Sequence, residues 1–90
     1  MDSKKFIRKC QKLVAEYTNS SKVEAVDKYA VVPEEVYTVW YCKTLQNQKV
    51  LLGTPLSDGM YYECTYNGDK NEIYFDAYKK VENNVVSGGK

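Results

Sequence analysis

Only one stretch of this chain repeats with a helical period, and that limits how much sheet the chain can cover. Phe6, Ile7, Cys10, Leu13, Val14 and Tyr17 fall at i, i+1, i+4, i+7, i+8 and i+11. That spacing puts them on one stripe of a helix, with Lys4, Lys5, Arg8, Lys9 and Lys12 on the solvent side. Asp2 or Ser3 is suited to cap its start, and Thr18-Asn19-Ser20-Ser21 supplies turn formers at its end. Residues 22–32 have room for a short helical turn through Val23, Val26 and Ala30, which Pro33 stops.

Beyond Pro33 the pattern is that of strands. Val36 to Leu45 is rich in β-branched and aromatic residues. Gln46-Asn47-Gln48 is expected to turn, with Asn47 taking the left-handed conformation, and Lys49 to Gly53 to return. Pro55 and Ser57-Asp58-Gly59 mark another turn, Met60 to Tyr66 a third strand, and Asn67-Gly68 a hairpin. Glu72 to about Tyr78 is the fourth strand, with room to curl into a short helix through Lys79-Lys80. The order predicts an α+β fold in which the N-terminal helix packs on one face of a four-stranded antiparallel meander. Residues 1–84 are expected to form a single domain, followed by a flexible tail over residues 85–90.

Strand parity then sorts the side chains. One face collects Val36, Trp40, Cys42, Met60, Tyr62, Cys64, Ile73 and Phe75 and is expected beneath the helix, which would bury Trp40. The other collects Tyr37, Val39, Tyr41, Lys43, Tyr61, Glu63, Thr65, Tyr74, Asp76 and Tyr78. No second helix is evident to cover that tyrosine-rich face. Tyrosine suits a surface that is wet in one state and buried in another. The expectation is therefore a homo-oligomer formed sheet against sheet, or a platform on which a flat ligand stacks.

Composition removes several classes of function. Ninety residues make one modest core. Thirteen basic and twelve acidic residues leave a net charge of +1, so no global field draws the chain to nucleic acid or an anionic membrane. A single-strand binder that uses the tyrosines and the basic helix face is the lesser alternative. No apolar run has the length of a membrane span, and MDSKKFIRKC lacks a signal peptide's apolar stretch. There is no histidine, and Cys10, Cys42 and Cys64 lie far apart, so no metal site or cofactor is expected and all three cysteines read as buried apolar residues. Glu63 and Asp76 would make an acid/base pair if they were cross-strand neighbours. Surface carboxylates are common, however, and no phosphate loop or nucleophile elbow is present. The chain reads as a non-catalytic protein.

Three segments, VWYCKTLQN, DGMYYECTYNGDK and EIYFDAYKK, resemble a family of small proteins of unknown function encoded by tailed phages and prophages of Gram-positive bacteria. The resemblance spans about half the chain and departs at Gln48, where an aromatic or basic residue is expected, and at Val81, where a larger aromatic is expected. It implies a phage accessory protein acting in the bacterial host cytoplasm, and a counter-defence role. The residues themselves indicate a ligand site at WYCKTLQNQK: Lys43 and Lys49 as cations, Gln46 and Asn47 as amides, and Tyr41, Tyr61 and Tyr74 as stacking surfaces. Such a set suits a small phosphorylated nucleotide bound without chemistry. The alternative is inhibition of a host protein through the tyrosine-rich face.

Overall fold

Asp2 starts the helix. Its Oδ1 accepts the Lys5 backbone N–H at 2.8 Å, which satisfies an otherwise orphaned donor, and its carbonyl accepts that of Phe6 at 3.0 Å as the first bond of the helix. In the computed structural model, which describes residues 1–21 and 30–89, helix α1 runs Ser3–Ser21. A single 3-10 turn follows at Pro33–Glu35. Four strands then complete the chain: β1 Tyr37–Thr44, β2 Asn47–Gly53, β3 Met60–Asn67 and β4 Glu72–Lys79. They form one antiparallel sheet in the order β1-β2-β3-β4. The predicted α+β class and meander are therefore observed. The helical turn expected over residues 22–32 falls mostly outside the described residues.

The core is one-sided. Phe6, Cys10, Val14 and Ala15 of α1 meet Val50, Leu52, Tyr62, Cys64 and Tyr66 of the sheet, with Val31 and Val36 closing one end. Tyr62 stacks on Phe75 at 5.9 Å and meets Tyr17 edge-on at 5.8 Å. Three polar side chains of α1 fasten it to the strap before β1. Asn19 donates to the Val31 carbonyl and accepts its N–H, both at 2.9 Å. Gln11 donates to the Val36 carbonyl at 2.8 Å, and Arg8 pairs with Glu34 at 3.0 Å.

Strand parity holds for β3 and β4 and fails in β1. Thr38 pairs with Leu52, but Trp40, not Val39, pairs with Leu51. Val39 is the extra residue of a β-bulge, and from that point every side chain of β1 changes face. Tyr41 and Lys43 therefore lie opposite the buried Val50 and Gln48, on the helix side. Trp40 and Cys42 lie on the other. The expected burial of Trp40 is corrected: it is 42% exposed. Cys42 is also exposed, while Cys10 and Cys64 are buried as expected.

Two turns correct the expectation as well. The first hairpin turns at Leu45–Gln46, one position early, with Leu45 at φ 55° and Asn47 already in β2. The Asn67-Gly68 signal opens a four-residue turn through Asn71, whose φ is 53°. The two turns lie side by side. A Cβ on Gly68 would stand 2.3 Å from the Gln46 carbonyl oxygen, so only glycine fits there.

Candidate functional site

The side of the sheet away from α1 carries no second layer of helix or strand among the described residues. Antiparallel register arranges its side chains in rows, because directly paired residues share a face. At one end lie Tyr37, paired with Gly53, and Tyr61, paired with Tyr78. The Tyr37 ring lies across Gly53, where a Cβ would come within 2.6 Å of it. The next row is Trp40, Leu51, Glu63 and Asp76, and the row after it Cys42, Lys49, Thr65 and Tyr74. Tyr37, Trp40, Tyr74 and Tyr78 are all exposed.

This face is acidic as well as aromatic. Among its described residues Lys49 is the cation of the rows, against Glu63, Glu72 and Asp76. Lys49 is committed to Glu63, 3.8 Å away. Tyr78 donates to the same Glu63 carboxylate at 3.5 Å, and Tyr74 donates to Glu72 at 2.7 Å. These acids shape the phenols. The hydrogen bond to Glu72 raises the pKa of Tyr74, and the charge of Asp76 raises that of Tyr78. At the rim, the Lys80 ammonium sits 5.4 Å from the Tyr61 ring centroid, a cation–π contact. Glu63 and Asp76 are cross-strand neighbours, as an acid pair requires. They stand on a flat surface, however, and Glu63 already serves Lys49 and Tyr78.

The residues expected to bind a ligand are not brought together. Lys49, Tyr61 and Tyr74 share the open face. Lys43 lies on the opposite side, and Tyr41 is half-buried there, its hydroxyl donating to Gln48 Oε1 at 2.5 Å. Gln46 and Asn47 join the two hairpin turns: Gln46 donates to Asp69 at 2.7 Å, and Asn47 Oδ1 accepts the Gly68 N–H at 3.1 Å. A shallow cavity of about 320 Å³ remains at that end of the face, bounded by Cys42, Thr44, Asn47, Gln48, Lys49 and Thr65. The reading of strand parity missed Trp40, Cys42, Thr44 and Leu51 on this face. Neither glycine nor proline marks the bulge that turns the β1 residues outward, so it left no signal of the usual kind.

On the far side of the molecule the solvent face of α1 is basic. Met1, Lys5, Arg8, Lys9, Lys12, Leu13 and Glu16 bound a groove of about 570 Å³. The two broad surfaces thus carry opposite charge. No group of three or more His, Cys, Asp or Glu able to hold a metal occurs among the described residues, and no helix among them is long and apolar enough to cross a membrane.

No curated protein and no solved structure matches the chain. A family of unknown function, DUF6275, matches residues 7–88, which takes in most of α1, the whole sheet and most of the segment beyond β4. The chain belongs to that family.

Proposed function

We propose that this protein is a non-catalytic binding module that docks a partner protein on its open aromatic face. The observation that supports it is the cluster of Tyr37, Trp40, Tyr74 and Tyr78, all exposed on one uncovered sheet face. Aromatic anchors such as tyrosine and tryptophan are enriched at protein interfaces. Glu63 and Asp76, in the row of Trp40 and Leu51, and Glu72 near the end of the face select a partner that sets cations among its apolar contacts, and work against a polyanion. The resemblance to phage-encoded proteins makes a bacterial host protein the natural partner, a counter-defence role the natural purpose, and the host cytoplasm the place. The test is capture from a bacterial host lysate by immobilised protein. A specific protein is expected on the wild type, lost with Trp40→Glu and retained with Lys9→Glu. Equal capture by wild type and Trp40→Glu would remove the reading.

A phosphorylated nucleotide remains a second reading, favoured by the cavity that holds Lys49, Asn47, Thr44 and Thr65 beside Tyr74. Titration calorimetry with linear and cyclic nucleotides tests it. Binding that weakens with Lys49→Ala and not with Lys43→Ala is the expected pattern, since Lys43 is on the other face. No heat with any nucleotide at high micromolar concentration would eliminate it.

A further inference from the structure

The segment after β4 is as unsatisfied as the open face. From Val81 to Gly89 every residue is exposed, and Val81, Val85 and Val86 are 92%, 97% and 82% exposed. The side-chain hydrogen bonds seen there are internal: Asn84 to Glu82, and the Gly89 N–H to Ser87. The tail is nonetheless anchored at its root. The Lys80 N–H donates to the Gly59 carbonyl at 2.7 Å, and the Lys80 ammonium covers Tyr61, so the tail leaves the body at the aromatic end of the open face. The family match runs through residue 88 and so includes this segment.

We infer that the tail and the open face are two halves of one interface, the tail of each protomer lying across the open face of a second copy. The inference rests on the open face being a docking surface and names its first occupant; a foreign partner then competes with the tail. Each chain supplies one open face with exposed aromatic residues and one tail with three exposed valines. Two copies related by a two-fold axis satisfy both in a closed, isologous exchange. A foreign protein on the face would leave the valines in water.

Size and reach agree. Four strands at about 4.8 Å spacing and seven or eight residues at about 3.4 Å rise give a face of roughly 19 by 25 Å, on the order of 500 Å² in projection. A stable interface takes about 800 Å² of accessible surface from each partner, and a face of this extent together with an exposed tail supplies an area of that order. Nine residues extend at most about 30 Å, which spans the face. Lys80 at the root places a cation beside a surface bearing Glu63, Glu72 and Asp76.

Analytical ultracentrifugation of the full chain tests this from low to high micromolar concentration. The wild type is expected to sediment as a dimer. The double substitution Val85→Asp with Val86→Asp should weaken the dimer by about thirtyfold or more, and Trp40→Glu should act in the same direction. All three sites are exposed, so unchanged circular dichroism and melting are expected and separate dissociation from unfolding. A wild type that stays monomeric at high micromolar concentration would overturn the inference. So would a dimer of unchanged strength in either variant. A monomeric wild type that still captures a host protein through Trp40 would overturn this inference alone and leave the docking function standing.

Discussion

At the scale of single residues, the same amino acid means different things on the two faces of this sheet. Cys10 and Cys64 touch in the core, and the hydrogen bond between their thiols, with burial, pushes the Cys10 thiol well above the ordinary range. Cys42 stands on the open face. Cys64→Ala is expected to cost about 1–3 kcal/mol through the cavity it leaves, and Cys42→Ala less than about 0.5 kcal/mol. A thiol reagent should label Cys42 in the native protein and the other two only in denaturant; a slow-reacting Cys42 in the monomeric Val85→Asp, Val86→Asp protein would contradict its placement. Leu45 makes the opposite case, a residue at odds with its own backbone. It holds a left-handed φ of 55° with its side chain 83% exposed. A non-glycine residue there costs roughly 1–2 kcal/mol, and no packing offsets it. Leu45→Gly should therefore raise stability by about 0.5–1 kcal/mol after glycine's own entropy cost, read as a higher denaturant midpoint at unchanged slope.

At the scale of elements, α1, β3 and β4 were legible because each obeys one period from end to end. Phe6, Cys10 and Val14 recur as a helix requires, and Tyr62, Cys64, Ile73 and Phe75 alternate as strands require. The two ends of β1 each obey a period of two, but they are out of phase by the one residue Val39. A parity argument carried through such a bulge assigns Trp40, Tyr41, Cys42 and Lys43 to the wrong sides all at once. The candidate site inherited that error, since Lys43 was central to it. The join between α1 and β1 was illegible for another reason. It depends on Asn19 meeting the backbone of Val31, twelve residues away, and one polar residue among Thr18-Asn19-Ser20-Ser21 gives no hint of such a partner. Asn19→Ala removes both bonds and leaves the Val31 N–H and C=O unpaired beside a buried side chain. A loss of about 1–2 kcal/mol is expected by urea denaturation; a variant as stable as the wild type would show the clamp to be idle.

At the scale of the whole molecule, a chain 44 by 40 by 19 Å is nearly a plate. Among the described residues the core lies between one helix and one side of one sheet and rests on a few aromatic residues. Among the described residues, three tyrosines have raised pKa values. Burial raises that of Tyr62, whose hydroxyl accepts from Thr18 at 3.4 Å, while Glu72 raises that of Tyr74 and Asp76 that of Tyr78. In each case the fold prefers the neutral phenol more than the unfolded chain does. A folded pKa above the unfolded value, about 10 for tyrosine, gives a contribution that is fully present below pH about 10 and is lost as pH rises through the folded value. Cys10 adds to the loss in the same sense. Tyr74 and Tyr78 are open to solvent, so screening leaves Tyr62 as the main source among the phenols. Thermal melts should therefore shift down steeply above pH about 10. Tyr62→Phe, though less stable near neutrality for want of the Thr18 contact, should lose less on going alkaline, whereas Tyr74→Phe and Tyr78→Phe should track the wild type. Should Tyr62→Phe fall as steeply as the wild type above pH about 10, ionisation of the buried tyrosine is not what limits this fold in alkali.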